Sequence, residues 1–236
     1  TYHRDRLLYP MRRVGPKGSG RFERTTWDSA LGEIADRLNE IRSSSDGPQA
    51  ILPYSYAGTM GMVQGSSMDR RFFHRIGASM LDRTICSMAG TVGMRMTVGA
   101  NVGADPEGIP DSDLVLLWGT NTLTANPHLW PFVLEARERG TKIIAIDPIR
   151  TRTAAQCDEW IAIRPGADAA LALGMMHVVF DRGLEDAAYL DAHTLGADQL
   201  RERVREYSPE RVSAITGVPA ETIVSLGERY GQSKAA

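Results

Sequence analysis

The sequence predicts an α/β protein, a mainly parallel sheet with helices on both faces followed by a helical C-terminal part. "DLVLLWG" (Asp113 to Gly119), "KIIAID" (Lys142 to Asp147) and the shorter "EWIAI" (Glu159 to Ile163) are continuous apolar runs. That is the pattern of parallel strands covered on two sides. The separation of Leu114 from Ile143 matches one βαβ unit. Beyond Arg164 the apolar residues recur at helical spacing.

Residues 1–25 read as an N-terminal linker segment and residues 26–236 as one α/β domain. Thr26 suits a helix N-cap, and Trp27, Leu31, Ile34, Leu38 and Ile41 form an apolar helical stripe behind it. Arg42 to Gln49 is a polar surface loop, and "AILPYS" (Ala50 to Ser55) has the composition of a short buried strand. A Gly/Ser-rich turn then leads into a helix through Phe72, Phe73 and Ile76. After the first apolar run, Asn126 and Pro127 are placed as N-cap and first-turn proline of a helix that Gly140 stops. Asp168 can cap a helix reaching Phe180 that is apolar nearly all round, hence buried. Ser208-Pro209-Glu210 and Pro219-Ala220-Glu221 open two more helices, and "GQSKAA" reads as a frayed or cut tail.

Composition bounds the function. The chain has 236 residues, a formal net charge of -2, 42% hydrophobic and 24% charged residues. This balance fits a globular domain and carries no basic footprint for nucleic acid. Cys86 and Cys157, the 2 cysteines, are too few for an iron–sulfur cluster or structural zinc site within the chain. No apolar run approaches the length of a membrane span, and the start lacks the apolar core of an export signal. A cytoplasmic location is expected, and the chain reads as part of something longer.

Ligands of open parallel sheets bind beyond the carboxyl ends of the strands. The first run ends in "GTNTLTANP", where Gly119 permits close backbone approach and Thr120, Asn121 and Thr122 offer donors before a helix start. That combination suits a phosphate or pyrophosphate, and a tight turn equally explains Gly119. Asp147 ends the second run; its carboxylate suits ribose hydroxyls or a cap on the segment after Pro148. No G-x-G-x-x-G fingerprint is present, which disfavours an ordinary NAD fold. Arg150 and Arg152 could pair with phosphate or lie solvated. In "RPGAD" (Arg164 to Asp168), Asp168 suits the ring N–H and amino group of guanine, or a helix cap. Cys86, in "TICSMAGTVG", is either an inert core thiol or a ligand to a soft or high-valent metal. Most methionines fall between Met60 and Met96, which suits adaptable packing, and Cys157, His74, His128 and His177 read as structural.

The order of segments is distinctive. "RLLYPMRRVG", "GRFERTTWDSALGEIADRL", "DRTICSMAGTVG", "SDLVLLWGTNTLTANPH", "KIIAIDPIRTRTA", "IRPGADAALALGMMHVV" and "SPERVSAITGVPAETI" follow one another. Together they resemble the molybdopterin oxidoreductases of the dimethyl sulfoxide reductase family over nearly the whole chain. The resemblance implies a Rossmann-like nucleotide-binding sheet and an enzyme holding molybdenum or tungsten between two molybdopterin guanine dinucleotides. It implies that Gly119, Thr120 and Asn121 contact the pyrophosphate or pterin part of one dinucleotide. Asp147 and Arg150 would then hold its ribose and phosphate, Asp168 would recognise guanine, and Cys86 would ligate the metal as the catalytic thiolate.

The implied reaction is oxygen-atom or two-electron transfer to a small substrate. The implied partners are the remaining domains of the enzyme or an electron-transfer subunit, with any iron–sulfur cluster lying upstream of Thr1. Ser87 stands where the formate dehydrogenases of the family carry His, which argues against formate as substrate. The alternative is a metal-free structural or electron-transfer subunit of the same fold, as in the large iron–sulfur subunit of respiratory complex I.

Overall fold

The computed structural model describes residues 2–56, 63 and 67–236. They divide into two compact units, Thr1–Val102 and Gly103–Ala236. In the first unit, strands β1 (Met11–Arg13) and β2 (Phe22–Arg24) pair antiparallel, Met11 opposite Arg24 and Arg13 opposite Phe22. The turn between them runs through Pro16 and three glycines with positive φ, Gly15, Gly18 and Gly20. Helix α1 (Trp27–Ser43) follows, with the Thr26 hydroxyl accepting from Ser29 N–H at 3.2 Å. Arg12 joins the hairpin to α1 through Glu33. Helices α2 (Met68–Ile76) and α3 (Cys86–Val98) complete the unit. The Gly/Ser-rich turn expected ahead of α2 lies largely outside the described residues.

The α1 stripe forms a helix as its spacing predicts, and its apolar side is open: Trp27, Leu31 and Ile34 are 63%, 57% and 56% exposed, and no residue of α1 is buried. Periodicity reports which face is apolar; it does not report what covers it. One expectation fails here: Ala50 to Ser55 is not a strand. A 3-10 turn occupies Pro48–Ala50, and the next residues have no strand partner. Pro48 precedes the segment and Pro53 lies within it, and proline has no N–H to give to a ladder. The segment is tied instead to Ser79, whose N–H donates to Ile51 O at 2.9 Å and whose hydroxyl donates to Gln49 O at 2.6 Å.

The second unit holds the parallel sheet. Strands β3 (Leu114–Trp118), β4 (Lys142–Ile146) and β5 (Glu159–Ile161) lie in the order β3-β4-β5, all parallel, with Leu114 beside Lys142 and Ile144 beside Glu159. Between β3 and β4 run α4 (Thr122–Ala125) and α5 (Trp130–Glu138). Five helices follow β5: α6 (Asp168–Asp181), α7 (Ala187–His193), α8 (Ala197–Val204), α9 (Pro209–Thr216) and α10 (Ala220–Gln232).

Because side chains alternate along a strand, the sheet has two apolar faces. Leu114, Ile144, Ile146 and Ile161 pack with Leu171, Met175, Val212, Ile223 and Leu226 from α6, α9 and α10. Leu117 and Ile143 pack with Val133 and Ala136 of α5. The protein is therefore mixed α/β with a small parallel sheet and helices on both of its faces. Glycines bring helices close on the larger side, where Gly174 of α6 faces Val212 and Gly227 of α10 faces Val178.

Three local details differ from the sequence reading. Asn126 and Pro127 do not start α5; the one-turn α4 ends at Asn126, and Leu129 caps α5. Asp168 is not the cap of α6 but its first residue, after Ala167. The tail is not frayed: Asp113 N–H donates to Ala235 O at 2.8 Å, and Lys234 N–H donates to Asp113 Oδ2 at 3.1 Å.

Candidate functional site

Parallel strands end together, so β3, β4 and β5 deliver Gly119, Asp147 and the Arg164–Asp168 loop to one edge of the sheet. Gly119 N–H still follows the sheet, donating to Ile146 O at 2.8 Å. The backbone then turns with φ +61°, a conformation glycine adopts without a Cβ clash, and a Cβ built there would meet nothing within 4 Å. The open space beside it is room for a ligand to approach the main chain.

Thr120 and Asn121 follow, both half-buried. The Thr120 and Thr122 hydroxyls lie 3.2 Å apart. The helix that follows them is the single turn α4 and not α5, so the extended helix start expected at this position is absent. Its Leu123 N–H donates to Thr153 Oγ1 at 3.0 Å, and Thr153 Oγ1 donates to Asn121 Oδ1 at 2.8 Å. Thr153 is fully buried. It lies after β4, so this hydroxyl clasps the loops following two adjacent strands.

Asp147 does close the segment after Pro148: its Oδ1 accepts from Ile149 N–H at 2.8 Å. Its main chain is anchored on β5, with N–H donating to Ile161 O at 3.2 Å and the carbonyl accepting from Trp160 Nε1 at 2.9 Å. One carboxylate oxygen, Oδ1, is committed to this turn. Arg150 is exposed, with its guanidinium 6.0 Å from the Trp160 ring centroid.

Asp168 is exposed and its Oδ1 accepts from Trp118 Nε1 at 2.7 Å. The loop carrying it is held from behind. Arg164 N–H donates to Thr216 O at 2.9 Å, while its guanidinium donates to Ala214 O and Ile215 O at 2.7 and 3.2 Å. These are carbonyls of the last turn of α9, which an arginine can satisfy. Gly166, at φ +81°, makes the turn.

The edge thus gathers Gly119, Thr120, Asn121, Asp147 and Asp168, with Arg150 just beyond Asp147. Reading the sequence missed Trp118, Thr153 and Arg164, which fix these groups. An indole at the end of an apolar run was the one available signal, since a half-buried indole N–H seeks an acceptor.

Cys86 is the first residue of α3, in the first unit. Its side chain lies outside the described residues. The chain leading into it is held by two neighbours: Ile85 N–H donates to Tyr56 Oη at 2.6 Å, and the Arg83 guanidinium donates to Ser55 O and Ser55 Oγ at 3.0 and 2.7 Å. Cys157 packs against Leu117, Val133 and Ile143, and its Sγ donates to Thr153 O at 3.3 Å. Burial, reinforced by Asp158, pushes its thiol up to about 11, so it is protonated near neutrality and poorly nucleophilic. His177 is structural as expected, its Nδ1 2.9 Å from Val204 O. No helix among the described residues is long and apolar enough to cross a membrane.

Residues 6–234 match the family model described as molybdopterin oxidoreductase. The chain is 43% identical over 232 residues to the probable oxidoreductase YoaE of Bacillus subtilis, covering 98% of this chain and 34% of that protein. It is 33% identical over 268 residues to the dimethyl sulfoxide reductase DmsA of Escherichia coli, covering 100% of this chain and 33% of that one. Among solved structures it is similar to acetylene hydratase from Pelobacter acetylenicus, with TM-score 0.68 and 34% identity over 96% of this chain and 31% of that chain. The chain therefore spans about a third of the length of these relatives.

Proposed function

Because the chain belongs to the molybdopterin oxidoreductase family, we propose that it is the segment of a molybdenum or tungsten oxidoreductase that holds one molybdopterin guanine dinucleotide. The dinucleotide lies along the carboxyl edge of a sheet used in the Rossmann-like manner, and Cys86 supplies a thiolate to the metal. One observation carries this reading: Gly119, Thr120 and Asn121 converge with Asp147 and Asp168 on a single sheet edge.

The donors and acceptors fit the group. An exposed carboxylate with one oxygen already held, as at Asp168, can accept from the ring N–H and amino group of guanine. Asp147 Oδ2 can accept from ribose hydroxyls, and Arg150 can donate to phosphate. Thr120 and Asn121 donate to the pyrophosphate, with Gly119 leaving space for it. When bound, the pterin and metal supply the oxygen-atom or two-electron chemistry, and the protein positions them. Cys86 opens α3, and the chain leading into it is held by Tyr56 and, through Arg83, by Ser55.

Redox chemistry is preferred over hydration because the Bacillus relative, at 43% identity, is named a probable oxidoreductase, against 34% for the hydratase structure. The substrate is a small molecule. A second dinucleotide, any iron–sulfur cluster and the electron route belong to further domains or to an electron-transfer subunit in the cytoplasm.

The test is elemental analysis and X-ray absorption of the whole protein, comparing wild type with Cys86→Ser and Cys86→Ala. Wild type is expected to hold molybdenum or tungsten with one protein sulfur that both variants lack. Unchanged metal–sulfur coordination in Cys86→Ala removes Cys86 as ligand. A wild-type protein without metal or guanine dinucleotide removes the function.

A further inference from the structure

We infer that Thr153 is a positioning residue that fixes which way the Asn121 carboxamide faces, so that this side chain offers its N–H donors rather than its oxygen to an anionic ligand. The inference rests on the cofactor reading above and assigns part of it to a residue that does not itself touch the ligand.

The Thr153 hydroxyl has two partners, Leu123 N–H at 3.0 Å and the Asn121 carboxamide at 2.8 Å. A backbone N–H can only donate, so the hydroxyl oxygen is the acceptor in the first contact. Its own proton then needs an acceptor, because the side chain is fully buried and water cannot supply one. The Asn121 Oδ1 is that acceptor. Turning the carboxamide over would bring a second donor against the hydroxyl and leave its proton unsatisfied, the costly alternative in a buried site. The hydroxyl therefore distinguishes the two ends of an amide that otherwise differ little in shape. With Oδ1 consumed, both Nδ2–H bonds remain for a ligand. They stand in the same loop as the open main chain at Gly119.

The signature is selectivity for phosphate, because only the charged part of the ligand meets Asn121. The experiment is calorimetric titration of the 236-residue chain with guanosine diphosphate and with guanosine. Thr153→Val keeps the shape and removes the hydroxyl; Thr153→Ser keeps the hydroxyl. Thr153→Val is expected to weaken guanosine diphosphate binding by about tenfold, the effect of one hydrogen bond to a charged group, and to leave guanosine binding unchanged. Thr153→Ser is expected to bind both as wild type does. Equal loss of both ligands, or no loss, in Thr153→Val overturns the inference while the cofactor reading stands.

Should Thr153→Val not fold, Asn121→Asp serves, since its carboxylate accepts from the same hydroxyl but brings no donor. It is expected to lose guanosine diphosphate selectively, and wild-type affinity in that variant overturns the inference. A wild-type chain that binds neither ligand overturns the cofactor reading itself, and the inference with it.

Discussion

The Trp118 indole donates to Asp168 Oδ1 at 2.7 Å, joining the last residue of β3 to the first residue of α6. Asp168 is exposed, so this bond adds little to stability, about 1 kcal/mol. Its effect is orientation. One carboxylate oxygen is held against the sheet, and the other keeps a defined direction.

Trp118→Phe keeps an aromatic ring against the core and removes the donor. Guanosine affinity is expected to fall about three- to tenfold as the carboxylate gains rotamers, with adenosine binding unchanged. Calorimetric titration with both nucleosides checks this. Wild-type guanosine affinity in the variant would show that Asp168 needs no orienting.

The packing of α10 on α6 makes a second prediction. A Cβ at Gly227 would sit 2.7 Å from Val178 Cβ and 3.1 Å from the Met175 carbonyl oxygen. Gly227→Ala is expected to lower the thermal midpoint, because overpacking costs about 1–3 kcal/mol. Helix propensity returns about 1 kcal/mol. Gly32 lies in exposed α1 with nothing within 4 Å of its Cβ position, so Gly32→Ala should stabilise by about 0.5–1 kcal/mol. Differential scanning calorimetry of the pair separates contact from propensity, and equal shifts would remove the close approach as the cause.

Cys157 predicts a pH effect with a definite sign. Its thiol rises from 9.0 to about 11, through burial first and Asp158 second. Between those two values the unfolded chain releases a proton that the folded chain keeps, so stability falls as pH rises through that window. The contribution is fully present below the lower value. Alkylation of Cys157 near pH 8 is expected to be much slower in the native chain than in denaturant, as mass spectrometry of iodoacetamide-treated protein would show. Equal rates would place the thiol in ordinary solvent.

The parallel sheet could be read from the sequence because its strands announce themselves locally. Asp113 to Gly119, Lys142 to Asp147 and Glu159 to Ile163 are each apolar without interruption, as burial on two faces requires. The places of Gly119 and Asp147 were legible for a related reason, since each follows its strand directly. Thr153 was not. Its partners sit 32 and 30 residues away, and no local pattern encodes a clasp between two loops. The β1–β2 hairpin was missed because its three-residue strands are wholly exposed and carry no alternation. The α1 stripe was legible as helical but its exposure was not, because periodicity is a property of one segment and burial a property of two.

That uncovered stripe adds to the chain's tendency to precipitate in salt solutions. Trp27, Leu31 and Ile34 present hydrocarbon directly to water, and ions excluded from protein surfaces, such as sulfate, raise the free energy of such exposure. Precipitation by ammonium sulfate should accordingly begin at lower salt for this chain than for one bearing Lys or Glu at those three positions.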